Sequence, residues 1–267
     1  MERLSYLLQN EAISEERFYH PLMQEILQSF TGEALTLTLD TSILWDSCCL
    51  IAVCWVWGGR SITLAQRVIE HSSATVGFEN YRSVLEMAKR CLPADVQVTL
   101  LADRGFEHGE LIRWLTQQQW DWMIRAKSDL QVRFPSGIQR PVRDLLPPQE
   151  EVYLFENVTV LSDVNCHLAT AHLAIAGEPW SVLSQQPPSL QTFAHYGQRF
   201  GGIEPHFKDY KSAAFNLLRS HLREATALTR LVMLLDCASL IALMLGFWLV
   251  QVGQRTRLDW HHDRGLS

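Results

Sequence analysis

The chain has no C-x2-C pair and none of the paired cysteine and histidine spacings that build a structural zinc site, although it carries Cys48, Cys49, Cys54, Cys91, Cys166 and Cys237. Those six are expected to be reduced thiols in the core of a cytosolic protein. A secretory leader is not visible either, because Glu2, Glu11, Glu15 and Glu16 interrupt the apolar positions of the first thirty residues. Internal repeats and low-complexity tracts are absent. Basic charge is in short supply: 23 Lys and Arg stand against 29 Asp and Glu, a formal charge of -6. That balance excludes nucleic-acid binding through the whole surface, but leaves room for a local basic stripe. Acidic residues gathered around divalent cations would also make the loaded protein less negative than its formal count.

Long hydrophobic runs are limited to one. From Leu231 to Val252 the chain is almost wholly apolar and nearly long enough to span a bilayer. Asp236 interrupts it, leaving a run of about 15 residues, which predicts a buried core helix rather than a membrane span. A membrane protein remains the alternative. The 267 residues, 47% of them apolar, suit one domain carrying an insertion.

Patterning then divides the chain. Residues 1–33 read as helical, through Leu4, Leu7 and Leu8 and then Phe18, Leu22, Ile26 and Leu27. In the next segment Leu35, Leu37 and Leu39 alternate with Thr36, Thr38 and Asp40, which predicts a strand whose polar face ends on Asp40. Strands follow over Cys48 to Trp57 and from Ser61 to about Gln66, closing an antiparallel meander. Helical spacing runs from Phe78 to Leu92 and stops at Pro93. The aliphatic stretch from Val96 to Asp103 reads as a buried strand, Glu107 to Gln118 as a helix and Trp120 to Lys127 as a strand. The order is βββαβαβ. Residues 34–127 thus form the first part of an α/β core, and 128–190, punctuated by prolines, a β-rich insertion. Helical patterning after Gln198 carries the second part through 191–252, and a polar tail closes the chain over 253–267.

Three acidic residues stand where a two-metal site would need them. Asp40 and Asp103 end strands, and Glu204 opens a helix between Gly201-Gly202 and Pro205, a residue suited to a first helical turn. Hard oxygen ligands of this kind suit Mg2+ or Mn2+. Such clustering would be costly without metal, because neighbouring carboxylates raise one another's pKa. Any one of the three, taken singly, fits the plainer description of a turn former or a surface helix residue. On that helix Glu204, Lys208 and Lys211 fall near one face. From His195 to Arg230, six basic residues meet three acidic ones, a basic segment inside an acidic protein. An ordinary solvated helix with a Glu204–Lys208 pair is the competing description.

Other residues carry less. His261 and His262 lie in the polar tail without spaced partners and are expected to be solvated. Trp120 and Trp122 are expected in the core, Trp180 in the core or stacked on an unpaired base, and Asp46 and Asp209 at the surface.

The run from Tyr196 through Arg199, Glu204 and Lys211 resembles the Tyr, Arg, Glu, Lys signature, Y-x2-R-x3-E-x6-K, of a large group of bacterial insertion-sequence DDE transposases. In that group an LxxDTS-like strand and a strand ending D-R-G-F precede the signature. This chain supplies Leu39-Asp40-Thr41-Ser42 and Asp103-Arg104-Gly105-Phe106. It departs at one point: four residues separate Arg199 from Glu204 where the pattern has three. The resemblance spans roughly residues 35–250. It implies an RNase H-like mixed sheet flanked by helices, with a β-rich insertion before the glutamate helix, and Asp40, Asp103 and Glu204 as catalytic ligands of two Mg2+ or Mn2+ ions. It further implies Tyr196, Arg199, Lys208 and Lys211 at DNA phosphates, cut-and-paste transposition through a hairpin intermediate, and a homodimer on paired double-stranded ends acting on target DNA. No membrane association and a cytoplasmic, nucleoid-associated place in a bacterial cell follow from the same resemblance. A nuclease of this fold without strand transfer, and a degenerate inactive remnant, are the other readings.

Overall fold

The structure is a computed structural model that describes residues 2–30, 32, 34–173 and 177–257. Two helices, α1 (Glu2–Gln9) and α2 (Glu15–Gln28), precede the meander of β1 (Ala34–Leu44), β2 (Cys48–Trp57) and β3 (Arg60–Glu70). Helix α3 (Phe78–Cys91), β4 (Gln97–Ala102), α4 (Gly109–Gln117) and β5 (Asp121–Arg125) complete the βββαβαβ order. Five further strands follow: β6 (Gln131–Arg133), β7 (Gln139–Pro141), β8 (Val152–Val160), β9 (Val164–Ala171) and β10 (Trp180–Ser184). The long helices α5 (Gln191–Lys211) and α6 (Ala225–Gln251) come last. His261, His262 and the tail from 258 onward lie outside the described residues.

The ten strands of the described residues join one sheet in the order β3-β2-β1-β4-β5-β10-β9-β8-β6-β7. The first three are antiparallel, while β4 and β5 run parallel to β1 and to each other. This is the mixed, helix-flanked sheet that the resemblance implied. The β-rich stretch does not stand apart as a subdomain: β10 pairs antiparallel with β5, and β9 with β10, so the strands after Lys127 continue the sheet. Backbone groups on the outer edge of β5 thereby find partners, which a separately folded insertion would have left to solvent.

Strict alternation along the central strands decides the two faces. Leu35, Leu37 and Leu39 of β1 and Cys49, Ile51, Val53 and Trp55 of β2 point into a core shared with α2, α3 and α4. The opposite residues of β2, Cys48, Leu50, Ala52 and Cys54, pack with Ile203, Phe207 and Tyr210 of α5 and with Leu228 and Val232 of α6. Thr36, Thr38 and Asp40 share that second face. The six cysteines are free thiols, and all but Cys237 are buried, as reduced core residues should be. Trp120 and Trp122 are likewise in the core, Asp46 is exposed, and Asp209, expected at the surface, is half-buried.

Two expectations about the helices need correction. Glu204 does not open a helix: α5 begins at Gln191, and Glu204 and Pro205 lie in its interior. Proline there removes the bond to the carbonyl of Gly201, yet packing of Tyr196, Ile203, Phe207 and Tyr210 on the sheet holds the helix through it. The glycines mark a close approach rather than a start, since a Cβ on Gly202 would meet Ser61 Oγ at 2.6 Å. Similarly, α6 is only partly a core helix. Its first half packs on β3, where Gln66 Nε2 donates to the Thr229 carbonyl and Val68 N to Thr229 Oγ1, so it covers the edge strand. Its second half leaves Ile241, Met244, Leu245, Phe247 and Trp248 exposed. By length and composition alone α6 could cross a membrane.

Asp236 anchors α6. It is fully buried and accepts a hydrogen bond from the Tyr210 hydroxyl. Burial raises its pKa from 3.8 to about 7. His206, 4.0 Å away, is held down to about 4 by burial and is therefore neutral near pH 7, so the contact is not an ion pair. Because the folded chain binds the Asp236 proton more tightly than the unfolded chain does, stability present below about pH 4 is lost as pH rises through about 7. Asp236→Asn keeps an acceptor for Tyr210 and cannot ionise. Thermal melting should show the variant about 5 °C above the parent chain at pH 8, with the gap closing by pH 4. Equal gaps at both pH values would remove Asp236 ionisation as the cause.

Candidate active site

The register between β1 and β4 builds the site. Leu39 pairs with Ala102, the last residue of β4, so Asp40 and Asp103 stand side by side at the point where the parallel ladder ends. Asp40 does not end its strand, as the pattern suggested; β1 runs on to Leu44 against β2, with Asp40 opposite Ala52. Asp103 begins a single 3-10 turn, Arg104–Phe106, and its Oδ1 accepts from Gly105 N at 2.7 Å. Phe106 fastens that turn into the core against Tyr81.

Helix α5 crosses over these strand ends. Tyr196 and Arg199, one turn apart, both face the sheet, and Glu204 projects from the same stretch at the solvent border. The Tyr196 hydroxyl donates to the Ala102 carbonyl at 3.1 Å, and His195 Nε2 lies 3.1 Å from Thr36 Oγ1. These two contacts tie the helix to the residue before Asp103 and to the polar face of β1. Trp180 packs against Tyr196 and Phe200, on the other flank of α5.

Arg199 is the centre of the arrangement. Its Nη2 donates to Asp40 Oδ2 at 2.7 Å and lies 4.0 Å from Asp103 Oδ2, while Nη1 is 3.9 Å from Glu204 Oε1. The side chain of Arg199 is 5% exposed, against 11% for Asp40, 39% for Asp103 and 56% for Glu204. The three acidic residues therefore converge on one guanidinium, on the same face of the sheet. Burial raises the pKa of Asp40 from 3.8 to about 6; Arg199 opposes that rise, and Asp103 and Glu204 add to it. Three carboxylates around one fixed cation leave a local excess of negative charge.

That excess, together with a set of hard oxygen donors, fits divalent cations such as Mg2+ or Mn2+. Among the described residues no three acidic, histidine or cysteine side chains stand at ligating distance as placed. The Arg199 guanidinium stands among the carboxylates. The other residues expected at phosphates are spread out. Lys208 is exposed, and Lys211 is half-buried, which lowers its pKa. Tyr196 is fully buried, and burial lifts its hydroxyl to about 12.

The sequence pattern missed Arg125. Ala102 pairs with Ile124, so Arg125 is the next position in the row after Asp40 and Asp103. It is buried and bonds Glu178 at 2.7 Å; Glu178 also takes Arg104, the neighbour of Asp103, at 2.9 Å. Nothing in the linear sequence marks it, since only the register of β5 against β4 brings it to the site.

A mixed sheet with helices on both faces, carrying Asp40 inside β1, Asp103 just past the end of the neighbouring β4 and Glu204 on the helix above them, fits a DDE-type catalytic domain. Residues 78–244, more than half of the chain, match the family model of the transposase DDE domain, and the chain belongs to that family. Asp103 and Glu204 fall inside the matched stretch and Asp40 before it. No curated protein sequence matches the chain. Among solved structures it is similar to a piggyBac transposase synaptic complex with hairpin DNA, at 12% identity and a TM-score of 0.48, over 86% of this chain and 52% of that one. A weaker similarity, at 10% identity and a TM-score of 0.30 over 73% of this chain and 28% of that one, is to Marinitoga piezophila Argonaute in complex with 5′ OH guide RNA and target DNA. The chain thus spans about half the length of the piggyBac transposase.

The Tyr196 hydroxyl should act on stability through the strand end it holds. Tyr196→Phe is expected to cost about 1 kcal/mol and lower the melting midpoint by about 2–4 °C. An unchanged midpoint would show that its bond to Ala102 contributes nothing.

Proposed function

We propose that this chain is the catalytic domain of a bacterial insertion-sequence transposase that cuts DNA strands at the element's ends and joins them to a target, by a cut-and-paste route. The observation that carries this reading is the convergence of Asp40, Asp103 and Glu204 within 4.0 Å of one guanidinium. Family membership supplies the chemical class, phosphodiester cleavage and transesterification.

Two Mg2+ or Mn2+ ions held by the three carboxylates would make the attacking oxygen nucleophilic and neutralise the leaving oxygen. The protein's own side chains do the rest. Asp40, inside the sheet with its Oδ1 accepting from Thr41 N at 2.8 Å, would be the buried ligand, and Glu204, on the exposed flank of α5, the solvent-facing one. Asp103 stands beside Asp40, capping its short turn. Lys208 and Lys211, in the last turn of the helix that carries Glu204, supply positive charge for the phosphates of a bound strand. Tyr196 acts by positioning, through the Ala102 carbonyl. The partners are double-stranded transposon ends and target DNA, bound by a homodimer on paired ends in the cytoplasm, at the nucleoid.

The purified chain should nick DNA bearing the element's ends only with Mg2+ or Mn2+, and Asp103→Ala should slow nicking about 100-fold or more, since several kcal/mol of transition-state stabilisation depend on metal. Cleavage undiminished in that variant would reject the site. A labelled end that is cut and never joined to a second duplex would make the chain a nuclease of the same fold rather than a transposase.

A further inference from the structure

We propose that Arg199 is an internal counter-ion that occupies the cation position of the carboxylate trio and yields it only when a nucleic-acid phosphodiester draws the guanidinium away. The inference rests on the reading of Asp40, Asp103 and Glu204 as a metal site.

The geometry gives the reason. Arg199 Nη2 lies 2.7 Å from Asp40 Oδ2 and 4.0 Å from Asp103 Oδ2, and Nη1 lies 3.9 Å from Glu204 Oε1. A divalent ion sharing these carboxylates needs the same oxygens, because Mg2+ binds at about 2.0–2.1 Å. Guanidinium and metal therefore compete directly. With Arg199 in place the trio is partly neutralised and the charge repulsion that would favour ion uptake is weakened.

The guanidinium is also incompletely held. Its Nε is buried with no hydrogen-bond partner, and only one of its contacts is short. A phosphodiester can satisfy a planar guanidinium through two parallel bonds, which this site does not provide. The way out is on the side of Asp103 and Glu204, the two more exposed carboxylates. Movement of Arg199 toward a phosphate arriving there would free Asp40 Oδ2 at the moment the substrate is present. Metal and DNA would then bind with positive coupling, each strengthening the other by the same factor.

Direct measurement of Mn2+ uptake tests this without any activity assay. With DNA absent, free Mn2+ is followed by electron paramagnetic resonance as it is titrated into the full chain. Arg199→Gln should bind Mn2+ about 10-fold more tightly than the parent chain, within the usual range of such couplings, whereas Arg199→Lys, which keeps the charge, should stay near the parent. For the parent chain alone, a ten-nucleotide single strand should tighten Mn2+ binding by a similar factor, after the ions taken up by the oligonucleotide are subtracted. This last measurement needs no variant to fold. Equal Mn2+ affinity in the parent and Arg199→Gln, or no tightening by the oligonucleotide, overturns the counter-ion role. Adding Asp103→Asn separates the two levels: if it leaves Mn2+ binding unchanged in every background, or if none binds, the metal site itself fails.

Discussion

The ion pair between Arg199 and Asp40 is the constraint on which the site depends. Asp40 lies on the inner face of a helix-covered sheet, where an unpaired carboxylate would be neutralised or expelled. Its burial raises its pKa to about 6, and the guanidinium 2.7 Å away is what opposes that rise. Around the pair, the Tyr196 hydroxyl reaches the Ala102 carbonyl, His195 reaches Thr36 and Glu204 stands at the open border.

Around that pair the sheet provides a row rather than a point. Asp40, Asp103 and Arg125 occupy consecutive strands just past the paired positions Leu39, Ala102 and Ile124. Parallel pairing of β1, β4 and β5 is what puts these three positions in one row, and the α5 contacts close it from above. The inserted strands then take the place of solvent at the outer edge of β5. Glu178, just before β10, bonds both Arg125 and Arg104, so the insertion contributes to the electrostatics beside Asp103 as well as to the sheet.

Farther along α5, the contact with α6 answers to a different constraint. Asp236 is buried between α6 and α5 with Tyr210 as its donor, and the polar contacts of Thr229 cover the edge of β3. Only the first half of α6 is engaged in this way. Its exposed second half is more apolar than its first, and so reading the helix as a core element held for one half and failed for the other.

Much of this was legible beforehand. The leucines alternating through β1 and the aliphatic run of β4 carry information that lives in neighbouring residues, and local periodicity reports it. The positions of Asp40, Asp103 and Glu204 in the chain, with the flanking signature, marked the candidate residues. What periodicity cannot report is registration between distant segments. That Glu204 sits inside a helix begun at Gln191, that the β-rich stretch extends the sheet, that Arg125 joins the row and that Arg199 turns inward to the carboxylates were all decided by tertiary packing. Each depends on which strand pairs with which and on the net charge a buried face must balance, and both are properties of segments that meet only in the folded chain.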